Sequence, residues 1–338
     1  MGNCCRLNNS NKEFNNQIIF NESMISEKES EEKNSTKLKT NNRYNNFIET
    51  ADNSLNLNFK RIIKEQAEII SPKEFDNIII SQYPHLNRIP FPENRMPSNA
   101  KNIFSSQPIK FSTGEIYMGS WNSKNQRHGF GIGINPDGTL FKGIWKGDKV
   151  GNFGIFMEKN GDYYMGELKD GKFEGKGELE IQGSFRYTGE FKKDVIDGRG
   201  KMENYENECM YDGDWKEGVE TGTGILEFSD GTKYEGEFKN GLYHGNGMIT
   251  FSNGDKFEGE FVEGCIKGKG KYTWNDGEKY DGEYEDFMKN GFGKFYWNND
   301  KYYEGMWLNN KQHGNGIIHY DDKEISGMFR FGKIIKGN

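Results

Sequence analysis

Apolar and polar positions alternate through the last two-thirds of the chain in a unit that reads aromatic, any residue, Gly, any residue, aromatic or Leu. The unit occurs nine times, and successive copies begin 23 or 24 residues apart. The nine first aromatics are Tyr117, Phe141, Tyr164, Tyr187, Tyr211, Tyr234, Phe257, Tyr280 and Tyr303. A fixed period of this length is typical of architectures in which one small unit stacks on its neighbours.

Each unit has a second half, made of Gly-x-Gly and a turn position seven residues beyond it. Gly-x-Gly occurs in eight units, and the second unit has Asn152 in place of the first Gly. The turn positions hold Gly138, Gly161, Asn207, Gly231, Gly254, Gly277 and Asp300, with Gly183 displaced by one residue. Because Gly, Asn and Asp best tolerate positive φ, the sequence predicts a tight turn at this position.

The spacing predicts β-hairpins. In a strand, alternate side chains point to one face, so the two aromatics and the Gly between them share a side. A unit of this length has room for two strands of about six residues and two turns. A lone hairpin is marginal in water, so neighbours must stack. We therefore predict an all-β repeat fold, an elongated single-layer antiparallel β-hairpin meander, with the rings of one hairpin over the glycines of the next.

Partial units are predicted at both ends of the array. Residues 111–114, Phe-Ser-Thr-Gly, match the turn halves at 228–231 and 251–254, which indicates half a unit before Tyr117. Residues 325–329 read as a degenerate tenth strand. Atypical terminal repeats are expected where no neighbour stacks.

One or two short helices are predicted before the repeats. Apolar residues follow helical spacing between about 57 and 70, at Phe59, Ile62, Ile63, Ala67 and Ile70. Ser71 and Glu74, with Pro72 between them, indicate the N-cap of a second helix that runs to about Ser81. The first helix is interpreted as a cap on the first hairpin rather than a calmodulin-type target. An extended linker is predicted from Pro84, Pro90, Pro92, Pro97 and Pro108.

Composition divides the chain into three parts. Residues 1–54 are rich in Asn, Ser, Glu and Lys and are expected to form a disordered tail, 55–110 hold the helices and linker, and 111–338 form the array. Residues 1–110 contain 15 Lys and Arg against 13 Asp and Glu, whereas 111–338 contain 30 against 39. This acidic balance argues against nucleic acid binding. With no apolar run for a membrane span or a secretion signal, and no disulfide framework, an intracellular protein is expected.

The positions on either side of the unit's Gly form a predicted acidic face. It contains Glu167, Glu190, Asp212, Asp214, Glu235, Glu237, Glu258, Glu260, Asp281, Glu283 and Glu304. The favoured interpretation is a solvated face that keeps the protein soluble, and the alternative is a docking surface for a basic partner. The scattered histidines and cysteines predict no metal site and no cofactor, and the many equivalent carboxylates single out no catalytic pair, so no enzyme activity is expected.

The unit resembles the MORN (membrane occupation and recognition nexus) repeat, over about residues 111 to 329. The resemblance implies a ribbon-like β fold and a scaffold without activity of its own. MORN arrays occur in junctional membrane proteins, in ciliary and cytoskeletal assemblies, and beside lipid-kinase domains.

The first residues, Met-Gly-Asn-Cys-Cys, predict a lipid anchor. Gly2 is positioned for myristoylation, and Cys4 and Cys5 for palmitoylation, although Arg6 departs from the usual Ser or Thr. One acyl chain binds membranes reversibly and two give stable anchoring.

Three functional hypotheses follow. The first is a dually acylated scaffold that presents protein partners at the cytoplasmic face of a plasma or ciliary membrane. The second is a structural component of a cilium, axoneme or cortical cytoskeleton. The third is a phosphoinositide-binding or lipid-kinase-regulating module, against which the acidic balance of the repeats counts.

Overall fold

The computed structural model describes residues 67–96, 107–298 and 300–337. The predicted tail, the lipidation sites and most of the first predicted helix lie outside these residues. The chain divides into two compact units. Unit A comprises the described part of Lys39–Glu206 together with Trp215–Gly218, and unit B comprises Asn207–Asp214 and the described part of Val219–Asn338.

Unit A contains one helix, α1 (Pro72–Gln82), two short 3₁₀ helices and ten strands, each paired antiparallel with the next. The 3₁₀ helices are Leu86–Arg88 and Glu93–Arg95. The strands are β1 (Ala67–Ile69), β2 (Ile109–Phe111), β3 (Ile116–Trp121), β4 (Arg127–Ile134), β5 (Leu140–Lys146), β6 (Lys149–Met157), β7 (Tyr163–Lys169), β8 (Lys172–Ile181), β9 (Phe185–Lys192) and β10 (Val195–Asn204).

Unit B continues the strand series, again with antiparallel pairs of sequence neighbours from β12 onward. Its strands are β11 (Cys209–Lys216, the last two residues belonging to unit A), β12 (Val219–Phe228), β13 (Lys233–Lys239), β14 (Leu242–Thr250), β15 (Lys256–Val262), β16 (Cys265–Thr273), β17 (Lys279–Glu285), β18 (Met288–Tyr296), β19 (Lys301–Leu308), β20 (Lys311–Tyr320), β21 (Lys323–Arg330) and β22 (Lys333–Gly337). The predicted β-hairpin meander is confirmed.

Two kinds of turn produce the repeat. Within a hairpin the turn has two central residues with positive φ, such as Asn240 (53°) and Gly241 (76°) between β13 and β14. This geometry suits the right-handed twist of paired strands. Between hairpins, Gly254 has φ 90° and donates its N–H to Phe251. The predicted positive φ at turn glycines is confirmed, but in the turn after β10 the residue with positive φ is Glu208 and not Asn207.

The first aromatic of each unit lies over glycines of its own hairpin, which corrects the predicted placement of these rings. A second aromatic does reach a neighbouring hairpin, since a Cβ at Gly133 would lie 2.9 Å from the ring of Trp145. Around Tyr234, a Cβ added at Gly236 or Gly247 would come within 2.5 Å of its hydroxyl oxygen. The Tyr234 ring meets the next hairpin through Phe261, edge to face at 5.3 Å between centroids. We call this side of the hairpins the ring face.

Both predicted end units are present. Phe111 accepts a hydrogen bond from Gly114, as Phe251 does from Gly254 in a complete unit. At the other end, β21 pairs Gly327 with Gly316, and Phe329 is buried against Tyr303. One further strand, β22, follows it.

The segment before the repeats differs in part from its prediction. Helix α1 begins at Pro72 as predicted, and Ser71 Oγ accepts the Glu74 N–H. However, the end of the first predicted helix is wrong, because Ala67–Ile69 forms strand β1 and pairs with β2. The expected extended linker is also wrong for its described first part. Residues 86–91 include buried Leu86, Ile89 and Phe91, which pack on the sheet.

Candidate partner-binding surface

The backbone is irregular directly after the Gly of the unit, where six of the nine units have an acidic residue. Strand pairing shifts register there, as between Gly236 and Glu237, and the first Gly of Gly-x-Gly has positive φ. Such a bulge leaves a backbone N–H without a ladder partner. A carboxylate accepts it, as Glu237 does from Asn246 at 3.0 Å and Glu283 from Phe292 at 2.9 Å. Asp214 and Glu190 make the same contact with Thr223 and Arg199.

The acidic residues before the Gly lie near lysines, either on the same strand or on a neighbouring strand. Glu235 is 2.8 Å from Lys233 Nζ, and Glu304 is 2.8 Å from Lys294 Nζ. Glu258 and Asp281 both lie opposite Lys271 in register. Most carboxylates of the predicted acidic face thus have local partners, and docking of a basic protein on them stays a prediction.

We expect Glu237→Ala to lower the free energy of unfolding by about 1 kcal/mol, because the bulge N–H of Asn246 loses its charged acceptor. Glu235→Ala removes an equally acidic neighbour that makes only an exposed ion pair, and should change stability by less than about 0.5 kcal/mol. Urea unfolding of the two purified variants measures the difference. Equal midpoints would show that the bulge contact contributes nothing.

In unit A, the face opposite the ring face, here called the outer face, is covered by the chain itself. Apolar side chains on β3 to β7 pack beneath residues 70–91 in one buried cluster. Its members on the sheet are Ile116, Met118, Phe130, Ile132, Ile134, Leu140, Phe153, Ile155, Met157 and Tyr163. This cover extends over three hairpins, whereas the predicted cap on the first hairpin, the helix at about 57–70, lies mostly outside the described residues.

Three side chains of this covering segment hold it on the sheet: an aromatic ring, a tyrosine hydroxyl and a guanidinium group. Phe91 meets Phe130 and Phe153 edge to face, with centroids 4.8 and 5.4 Å away. Tyr83 donates its hydroxyl to the carbonyl of Gly138 at 2.7 Å, and burial raises its pKa to about 12. Arg95 lies over the Phe153 ring and pairs with Glu167, one of the predicted acidic-face residues, at 2.7 Å.

In unit B, no described segment covers the outer face of β18 to β21 in the way that residues 70–91 cover unit A. Phe292 pairs in register with Met306, and Met328 lies on the same face with Asn315 between them. All three apolar side chains are more than 40% exposed. The row is bordered by the Lys294–Glu304 ion pair and by the stacked rings of Tyr302 and His319. It is an apolar strip with charged and aromatic neighbours.

Sequence reasoning missed this strip although a signal was present. Phe130, Phe153 and Phe292 all occupy the middle position of Gly-x-Gly or its equivalent. That position points to the outer face, so Phe there predicts apolar burial or a binding surface. Only the acidic residues of this face had been singled out.

Two buried cations on the ring face were also missed. Arg127 lies between the rings of Tyr117 and Trp145 and contacts Asp148, and burial lowers its pKa. Lys289 occupies the equivalent position in the eighth hairpin, where the preceding hairpin has the buried Ile266.

The described ranges contain no helix with the length and apolar character needed to span a bilayer. Cys209 and Cys265 lie half-buried in separate strands. Within the same ranges, no three His, Cys, Asp or Glu side chains come together as metal ligands.

Comparison with known proteins identifies the repeat. The MORN repeat family model matches residues 117–139, 164–181, 187–204, 211–233, 234–256, 257–279, 280–301 and 303–324. No curated protein matches the chain by sequence.

Solved structures give weaker likenesses. The TCP10 domain of Danio rerio CPAP, in complex with a STIL peptide, is 12% identical and covers 66% of this chain and 98% of its own, with a TM-score of 0.38. The TCP domain of Drosophila melanogaster SAS-4, in complex with a proline-rich motif of Ana2, is 12% identical. The match covers 61% of this chain and 88% of that domain, with a TM-score of 0.26. At such scores the likenesses support no argument about partners.

Proposed function

The chain belongs to the MORN-repeat family, and we propose that it is a non-catalytic scaffold that holds protein partners at the cytoplasmic face of a membrane. The observation that carries the proposal is the open apolar strip of Phe292, Met306 and Met328 in unit B. The same face in unit A is covered by the chain's own residues. Exposed large apolar side chains that cluster on one face and are bordered by polar groups are typical of interaction sites.

The hairpins offer a stable surface but no reaction centre. The ring-face tyrosines hydrogen-bond to backbone carbonyls of their own hairpins, as Tyr234 does to Glu237 at 2.9 Å. Burial raises the pKa of Tyr234, so this phenol stays protonated at neutral pH. The carboxylates described above serve the bulges or neighbouring lysines. These roles are structural, which supports a scaffold rather than an enzyme.

The membrane part of the proposal rests on the N-terminal sequence. Gly2, Cys4 and Cys5 would carry a myristoyl and palmitoyl groups, and Arg6 would add attraction to anionic headgroups. These residues lie outside the described part of the chain. Lipid at the N-terminus would leave both repeat units available to partners in the cytoplasm.

Membrane flotation of the full-length protein in cells tests the anchor. We expect wild type to float with membranes and Gly2→Ala and the Cys4→Ser/Cys5→Ser double variant to stay soluble, because one acyl chain binds only reversibly. Cys209→Ser/Cys265→Ser removes two thiols from the repeats and should float like wild type.

Equal distribution of all four proteins would refute acylation as the anchor. A pellet that then resists detergent would favour the alternative of a structural component of a cilium or cortical cytoskeleton. Liposome binding by an unlipidated protein would favour the phosphoinositide alternative.

A further inference from the structure

We infer that the outer face of β18 to β21 binds an extended segment of another protein in which an aromatic residue lies between prolines and a basic residue follows about four positions later. This inference rests on the proposed scaffold function and names the class of partner. The ligand chemistry comes from the segment that covers the outer face of unit A.

That segment shows what an outer face of this repeat accepts. Residues 89–92 read Ile-Pro-Phe-Pro, and the Phe91 ring enters between two Phe side chains at the middle position of Gly-x-Gly. Prolines restrict φ, so little conformational entropy is lost when such a segment binds. Arg95 lies four residues after Phe91 and stacks on the Phe153 ring. It also pairs with the carboxylate of Glu167, which lies opposite Phe153 in register.

The open strip of unit B repeats the apolar part of this arrangement. Phe292 occupies the position of Phe130 and Phe153, with Met306 beside it in register and Met328 further along the row. Both methionines are flexible side chains that adapt to an incoming ring. An aromatic side chain that enters here would cover surface that is now about half exposed.

Charge complements the basic residue of the proposed partner. Residues 207–214 and 219–338 carry 23 Asp and Glu against 15 Lys and Arg. Glu283 lies directly beside the strip, since its carboxylate accepts the Phe292 N–H. A guanidinium group over Phe292 would therefore find a carboxylate next to the ring, as Arg95 does over Phe153.

The test uses purified full-length protein and a fluorescent peptide with the chain's own sequence 86–96, Leu-Asn-Arg-Ile-Pro-Phe-Pro-Glu-Asn-Arg-Met. Fluorescence anisotropy should show saturable binding. Phe292→Ser/Met306→Ser should weaken it about tenfold or more, which corresponds to about 1.4 kcal/mol or more. Val262→Ser, at an equally exposed apolar site on β15, should leave it unchanged. Peptides with Ala for the Phe or Glu for the last Arg should bind more weakly.

Each other outcome overturns the inference. One such outcome is the absence of binding to wild type at millimolar peptide. Another is binding that survives Phe292→Ser/Met306→Ser, because the peptide would then bind to unit A in place of that unit's own covering segment. Thermal unfolding of each variant shows whether the fold is retained. If the double variant does not fold, Met306→Ser alone replaces it in the binding test. Concentration-dependent self-association lost in the same variants would assign the strip to a second copy of the chain.

Flotation and peptide binding give independent answers. Peptide binding with no membrane association would retain the partner class and refute the membrane anchor. Membrane association without peptide binding would leave the scaffold proposal standing and refute the partner class.

Discussion

Gly247→Ala is expected to lower the free energy of unfolding of its hairpin by about 3 kcal/mol, although Ala is normally the better residue in a strand. A Cβ at Gly247 would lie 2.5 Å from Cε2 and from the hydroxyl oxygen of Tyr234. Tyr234 is fully buried, with a ring stacked at 3.8 Å on Tyr243 and edge-to-face contacts to Phe238 and Phe261. The ring has no free space to move into, so the cost is steric.

Gly231→Asn is the matched control, since it tests the other reason for a recurring Gly in the unit. Gly231 has φ 87° and nothing within 4 Å of an added Cβ. Asn tolerates this backbone conformation, so we expect a loss below about 1 kcal/mol. Urea unfolding monitored by tyrosine and tryptophan fluorescence compares the two variants. Similar losses in both would contradict the steric account of Gly247.

A double-mutant cycle separates ring contact from other effects. Tyr234→Leu removes the aromatic ring with its hydroxyl, and should itself destabilise the hairpin. If the clash at Gly247 is with that ring, Gly247→Ala should cost far less in the Tyr234→Leu background. Equal costs in both backgrounds would place the strain elsewhere, in the backbone of β14.

The periodic part of the fold could be predicted because strand geometry determines it. Side chains at alternate positions share a face, so Tyr234, Gly236 and Phe238 had to lie together whatever their neighbours did. The turn at Gly254 was predictable for a similar reason, since positive φ restricts the residue type. In both cases a local backbone property is repeated often enough to be read from one sequence.

Contacts that depend on register or on distant residues could not be predicted. The role of Glu237 depends on a bulge that moves the Asn246 N–H beneath its carboxylate. The alternation of side chains along a strand predicts only the face of the sheet on which Glu237 lies. Phe91 lies between prolines and reads as linker, because the two Phe side chains that enclose it are about 40 and 60 residues away. The open strip at Phe292 follows only after that contact is known.

Lys289 also escaped prediction, because a single Lys in a strand usually points to water. Here its Nζ is buried, with no hydrogen-bond partner among the described residues. It lies 4.7 to 5.2 Å from the ring centroids of Trp274, Tyr280, Phe295 and Trp307. The rings favour the charged amine, but the loss of hydration outweighs them. Burial accordingly lowers the pKa of Lys289 to about 7, against a smaller raising effect of the Glu278 charge.

We therefore expect Lys289→Met to raise the free energy of unfolding by about 1 to 4 kcal/mol near pH 6, since an apolar side chain of similar length fills the space without the cost of a buried charge. The gain should shrink as pH rises. Between pH 7 and the ordinary lysine pKa of about 10.4, the unfolded chain still binds the proton and the folded chain does not, so wild type gains stability with pH while the variant does not.

Ile266→Met, at the equivalent buried position of the preceding hairpin, is the control and should cost less than about 1.5 kcal/mol at every pH. Urea unfolding at pH 6, 8 and 9.5 compares the three proteins. A gain in Lys289→Met that stays constant across this range would mean that the amine remains charged in its ring cage, and that the four rings compensate for the lost hydration. A loss of stability at pH 6 would mean that the caged cation holds the eighth hairpin together.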